Sequence, residues 1–285
     1  PFLSLLRDRV MIFDGGMGTQ IHLADLTLAD YENQENFNEV LNLTRPEVIE
    51  EIHARYLAAG ADCVETNSFN ANKLDLVEFE AADRTQALNR AAAEIARRAC
   101  DRFATPERPR FVAGSIGPGR KSVTLGNVDY DTLLDSYAEQ ARGLIDGGAD
   151  VFLIETQFDI NVAKIAVNAC LDVMRERDKR LPIMVQVTME ATLGTMLVGT
   201  EMAATIATLE ALPLPLLTRL EHDFITFAHA HQEPPAAANN GGKWTTWLML
   251  GGRGAGKTRA GAEWVRALVR GTQPYAEARH GSIAL

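Results

Sequence analysis

Residues 59–66 read AGADCVET and residues 147–156 read GGADVFLIET, and the match between these two phrases decides the fold. Each places a Gly-Ala-Asp joint after a long amphipathic stretch and before an apolar run that closes on Glu-Thr. Glycine at such a joint suits the left-handed residue that ends a helix. An apolar run bounded in this way suits a strand buried on both faces. Recurrence after about 90 residues points to equivalent helix-to-strand joints in one repeating architecture.

Outward from the two phrases, short apolar runs alternate with amphipathic ones. Strands are predicted at VMIFD (10–14), DCVET (62–66), FVAGSIG (111–117), DVFLIET (150–156) and PIMVQVTM (182–189). Helices are predicted at 45–60, 83–103, 130–148, 161–178 and 201–212. The first of these has Thr44 and Glu47 in capping-box spacing and Gly60 at its end. Strand-helix alternation of this kind calls for a parallel sheet covered by helices. No Gly-rich dinucleotide fingerprint follows any strand, and the repeated joint fits a barrel better than a doubly wound sheet. The expected fold is α/β, an incomplete (β/α)8 TIM-type barrel of five βα units over residues 1–212.

Composition changes after that point. Residues 1–211 carry 20 Lys+Arg against 33 Asp+Glu, net −13, and residues 212–285 carry 8 against 5, net +3, which together give the chain's −10. Residues 213–242 are read as a linker ending in the Pro, Ala, Asn and Gly of EPPAAANNGG, and all three tryptophans lie beyond it. The acidic first part is a poor candidate for nucleic-acid binding, since phosphate contacts need clustered Lys and Arg. With no run of roughly 18 apolar residues and no cleavable leader, a cytoplasmic protein is expected. Cys63, Cys100 and Cys170 are odd in number and dispersed, so they read as buried thiols rather than a disulfide framework.

In a parallel barrel the reactive groups gather at the carboxyl ends of the strands. Those ends carry Asp14 in FDGGMGT, Glu65 in ETNSFN, the SIGPG turn at 115–119, and Glu155 in IETQFD. Such a mouth suits a small zwitterion. Carboxylates would hold its ammonium group, and backbone N–H groups of the DGGMG turn would receive its carboxylate.

DGGMGTQI, AGADCVETNSFNAN, VAGSIGP and GGADVFLIETQFD together resemble the homocysteine S-methyltransferase family, the homocysteine-binding barrel that opens cobalamin-dependent methionine synthase. The resemblance covers residues 1–212. It implies that Asp14 and Glu155 hold the homocysteine amino group, with Asn67 and the amides of Gly15 and Gly16 nearby. It also implies methyl transfer to a zinc-bound homocysteine thiolate, since zinc presents a thiolate at neutral pH. The zinc-binding cysteines of this family lie at the ends of its sixth and eighth strands, and no corresponding segment occurs here. No cobalamin-binding motif occurs either, so a chain not competent alone is expected, with self-association through its open sheet edges.

Residues 243–285 carry a second signal. KWTTWLML reads as a strand, GGRGAGKT matches the phosphate-binding loop, and TRAGAEWVRALVRG continues as a helix. Gly251, Gly254 and Gly256 would let backbone amides face phosphate oxygens, Lys257 would reach the β and γ phosphates, and Thr258 would ligate Mg²⁺ of Mg-ATP. This partial P-loop NTPase segment resembles the start of the large terminase subunit of phages and gene transfer agents, a DNA-packaging ATPase. Nucleic acid enters as a partner only through that resemblance. Three readings follow: a homocysteine-binding methyltransferase module, an ATP-binding terminase fragment, or an inert fusion.

Overall fold

One parallel sheet organises the computed structural model, which describes residues 2–190 and 194–211. Its strands are β1 (Cys63–Glu65), β2 (Phe111–Ile116), β3 (Val151–Gln157) and β4 (Ile183–Val187), hydrogen-bonded in the order β1-β2-β3-β4. Sequential neighbours without a reversal of order are what a barrel wall requires, and a doubly wound sheet would break that order. The helices are α1 (Phe2–Asp8), α2 (Met17–His22), α3 (Leu41–Thr44), α4 (Pro46–Ala59), α5 (Lys73–Leu76), α6 (Thr85–Phe103), α7 (Tyr130–Asp146), α8 (Ile160–Glu176) and α9 (Met202–Ala211). Among the described residues no helix is long and apolar enough to cross a membrane.

Both Gly-Ala-Asp joints are built alike. Gly60 has φ 116° and Gly148 φ 98°, and each passes the chain out of its helix in the left-handed region that glycine tolerates. Ala61 N–H bonds back to Tyr56 O, and Ala149 N–H to Leu144 O. The aspartate then grips the neighbouring extended segment. An Asp62 carboxylate oxygen accepts Ile12 N–H at 3.1 Å, and Asp150 accepts Val112 N–H at 2.9 Å. The repeated phrase is therefore a helix stop followed by a staple to the neighbouring extended segment.

Register sorts the side chains. Glu65 pairs with Ala113, and Ala113 with Val151. Alternation then places Ser115, Leu153 and Glu155 on that same face. The opposite face presents Val64, Val112, Ile116, Phe152 and Ile154 to buried side chains of α6, α7 and α8, including Ala93, Tyr137, Leu144 and Val167. This is the main core, and it explains why the strands read as continuous apolar runs.

Three sequence expectations need correction. VMIFD forms only a bridge, Phe13 against Cys63, instead of a strand. Its pairing is confined to Ile12–Asp14 because Ile12 N–H turns to the Asp62 carboxylate, and Val10 and Ile12 are exposed. The Thr44 and Glu47 capping box is absent, because Arg45 is the residue before the helix and Pro46 starts it. Thr44 Oγ1 instead donates to Asp30 O at 2.6 Å, and Glu47 pairs with Arg45. Short helices α2, α3 and α5, too brief for a periodic pattern, occupy what the periodicity left as connections. Residues 213–285, including the linker and phosphate-loop positions, lie outside the described residues.

Helices α6 and α7 approach so closely that no side chain fits between them at one point. A Cβ added at Gly143 would lie 2.5 Å from Gln86 O and 2.6 Å from Asn89 Cβ. Gly143→Ala is expected to destabilise the fold by roughly 1–3 kcal/mol, read from the midpoint of urea denaturation, because backbone atoms must separate. An unchanged midpoint would show that the two helices are not held at this distance.

Candidate functional site

Parallel strands deliver their carboxyl ends to one edge of the sheet, and three carboxylates meet there. Asp14 follows the Phe13 bridge, and its N–H donates to Cys63 O at 3.1 Å. Both of its carboxylate oxygens accept the Glu65 N–H at 3.1 Å. Glu65 ends β1, and Glu155 lies near the end of β3, where Ser115 Oγ of β2 donates to its Oε1 at 2.5 Å.

Burial pushes all three toward the protonated form, and like charge adds to it at Asp14 and Glu65. Burial raises Asp14 to about 7, opposed by the Glu65 N–H and reinforced by the charge of Glu155. Burial raises Glu65 to about 8, with the charges of Glu155 and Asp14 adding to it. Glu155 is raised by burial and held back by the Ser115 hydroxyl. Among the described residues no lysine or arginine offsets any of them. Among the described residues the mouth lacks one thing, a positive charge.

Backbone at the end of β3 is strained in a way that serves this mouth. Thr156 has φ 58°, a left-handed value that a β-branched residue rarely adopts, and the β3–β4 register is irregular between Ile154 and Gln157. Thr156 is thereby exposed while Gln157 returns to a fully buried position. Strain of this kind concentrates at functional sites.

Gly15 and Gly16, the other residues expected here, form the turn between Asp14 and α2. Gly16 is the residue before the first turn of α2, and Tyr56 Oη donates to its carbonyl at 3.4 Å. Asn67 sits apart in its contacts. Its side-chain nitrogen donates to Asn38 O at 2.8 Å and to Asn42 Oδ1 at 3.1 Å, so its amide ties the β1 loop to α3 and the segment before it. The sequence reading passed over Ser115 as a single residue, together with Tyr56. The expected nucleotide-binding residues Gly251, Gly254, Gly256, Lys257 and Thr258 lie outside the described residues.

The cysteines do not form a metal set. Cys63 lies in β1, Cys100 in α6 and Cys170 in α8, all buried. Burial pushes the Cys100 thiol up to about 12, and the Cys63 and Cys170 thiols upward as well. Among the described residues no three His, Cys, Asp or Glu side chains are grouped to hold a metal ion.

Comparison with known proteins bears on this geometry. The family model described as homocysteine S-methyltransferase matches residues 11–220. The methionine synthases of Mycobacterium tuberculosis (strain ATCC 25618 / H37Rv) and Mycobacterium leprae (strain TN) are each 45% identical over 215 residues, 75% of this chain. The chain spans only 18% of the length of those relatives. Among solved structures, the metallated form of the homocysteine methyltransferase MmuM from Escherichia coli superposes with a TM-score of 0.60 at 22% identity, covering 74% of each chain. Its oxidised form gives 0.57 at 22% identity, covering 72% of this chain and 70% of that one. At such identity the likeness speaks for the fold alone.

Raised carboxylates link stability to pH with a definite sign. Asp14 and Glu65 hold protons in the folded chain at a pH where the unfolded chain has lost them, so their contribution is full below about pH 4 and is lost as pH rises through about 7 to 8. The melting temperature should therefore fall between about pH 5 and pH 8. Combining Asp14→Asn with Glu65→Gln should flatten that fall and raise stability at pH 9 by roughly 1–3 kcal/mol. Identical pH profiles for both proteins would rule out the shared electrostatic penalty.

Proposed function

Because the chain belongs to the homocysteine S-methyltransferase family, we propose that its strand ends bind homocysteine, with Asp14 and Glu155 holding the ammonium group. The amides of Gly15 and Gly16, at the entry to α2, receive the ligand carboxylate. The reaction this serves is methyl transfer to the homocysteine sulfur, giving methionine. One observation carries the reading: the three clustered carboxylates have no cation among the described residues. A ligand ammonium supplies that charge, and in a partly desolvated mouth its pairing with directed carboxylates is stronger than in water.

Each residue has a separate task. Asp14, fixed by the Glu65 N–H, presents its carboxylate at the start of the glycine turn. Glu155, on the same sheet face as Ser115 and Glu65, faces it from β3. Asn67 shapes the wall by tying its loop to Asn38 and Asn42. A zinc ion in this family supplies a thiolate at neutral pH. The described cysteines do not fit it, so any ligands for that ion come from outside the described residues. The described residues thus account for binding and orienting the amino acid, and no proton transfer or bond formation is assigned to them.

A second reading rests on one sequence feature. GGRGAGKT, between the apolar run WTTWLML and the stretch TRAGAEWVRALVRG, supports Mg-ATP binding through Gly251, Gly254, Gly256, Lys257 and Thr258. It comes with the terminase resemblance and is independent of the homocysteine site.

Isothermal titration separates these readings. Homocysteine should bind and 4-mercaptobutyrate, which lacks the amine, should not. Affinity should rise from pH 6 to pH 8 as Asp14, raised to about 7, loses its proton. Asp14→Asn and Glu155→Gln should each weaken binding about tenfold or more, the scale of one lost charge-assisted contact. Equal binding of the deamino analogue would overturn the ammonium assignment. Mg-ATP heat abolished by Lys257→Ala would support the second reading, and silence toward both ligands would leave the inert one.

A further inference from the structure

Behind Glu155 lies a closed ring of hydrogen bonds whose proton directions are forced. Ser115 N–H donates to Thr66 Oγ1 at 2.9 Å, and Ser68 Oγ donates to Ser115 O at 2.8 Å. Thr66 Oγ1 and Ser68 Oγ lie 2.6 Å apart. A hydroxyl carries one proton, and that of Ser68 is already committed to Ser115 O. Thr66 must therefore be the donor in the pair, and the ring runs from Ser115 N–H through Thr66 and Ser68 back to the Ser115 carbonyl. Gln140 Nε2 of α7 braces it from outside, donating to Ser68 O at 2.7 Å. Thr66, Ser68, Ser115 and Gln140 are all buried.

Both main-chain polar groups of Ser115 are occupied by this ring, and its hydroxyl takes no part in it. That hydroxyl is aimed at Glu155 Oε1, 2.5 Å away. We propose that Ser115 is a positioning residue for the ammonium site: locked by the Thr66–Ser68 ring, it holds Glu155 as a directed, charged carboxylate ready to receive the ligand amine. The assignment rests on the reading of Glu155 as an ammonium holder. Ser115 touches no ligand and acts only through Glu155.

The surroundings make such a donor necessary. Asp14 and Glu65 face Glu155 with like charge, and β4 carries no titratable side chain. Burial favours a proton on Glu155, and a protonated carboxyl attracts an ammonium weakly. Ser115 opposes that.

The test uses the full chain labelled with carboxyl-¹³C glutamate, with the Glu155 resonance assigned by its loss in Glu155→Gln. In Ser115→Ala the titration of Glu155 should move upward by about one pH unit or more, the scale of one charge-assisted hydrogen bond. Homocysteine affinity should fall about tenfold near pH 7, and this loss should shrink toward pH 9 as Glu155 ionises regardless. If Ser115→Ala fails to fold by circular dichroism, Ser115→Cys, of similar volume and with a weak donor, should show the same upward movement. An unmoved Glu155 titration, or an affinity loss equal at every pH, overturns the proposal. If the wild-type chain binds no homocysteine, the functional reading fails by itself, and the titration still decides whether Ser115 controls Glu155.

Discussion

Parallel strand direction is the constraint on which the candidate site depends. Because β1 to β4 run the same way and pair in chain order, whatever ends one strand lies beside whatever ends the next. Asp14, Glu65, Ser115 and Glu155 are spread over 142 positions of the chain, counting from 14 to 155, yet the sheet gathers them at one edge. The gathering is electrostatically unfavourable, and the burial that stabilises the sheet makes it more so. What holds the carboxylates in place is the apolar layer on the opposite face, where strand side chains interlock with α6, α7 and α8.

A second set of charges works in the opposite sense. Asp62 lies at the start of β1, fully buried, and there the carboxylate is satisfied. Burial alone would push it up, but hydrogen bonds from Arg9 at 2.8 and 3.1 Å, from the Ile12 N–H, and from Arg108 at 3.2 Å hold it below the usual range. Asp150 repeats the arrangement with Arg97 at 2.8 Å. The sheet therefore has an edge where carboxylates are paired by arginine and an edge where, among the described residues, they have no cation. The first is structural, and it needs its partners within the chain.

Much of this could be read from the residues, and the failures have physical causes. Helices α4, α6, α7 and α8 are long enough for an apolar stripe to repeat, and the Gly-Ala-Asp joints fixed where two of them stop. Asp14 and Glu155 stood out because each closes an apolar run. VMIFD was misread because its apolar content promises a strand, whereas strand length is set by pairing, and Asp62 takes the N–H of Ile12. Thr44 and Glu47 have cap spacing, but Pro46 had already supplied the helix start and left the threonine hydroxyl to Asp30. The Thr66–Ser68–Ser115 ring was illegible for a different reason. It joins residues 49 apart through backbone atoms, and a serine in a strand carries no mark of the ring it closes.

The two joints differ in one respect that bears on how such a chain can change. Glu65 comes three residues after Asp62, and Glu155 five residues after Asp150. Both intervals are odd, so both glutamates leave the sheet on the face away from the helices despite unequal strand lengths. Growth of a strand by a pair of residues preserves that direction and merely raises the carboxylate along the strand. Growth by a single residue would turn the same carboxylate into the layer occupied by Ala93, Tyr137 and Leu144, where nothing could neutralise it. Length variation within these strands is thus filtered by parity, and a lineage can reshape the depth of the mouth in steps of two while single-residue insertions are confined to the loops.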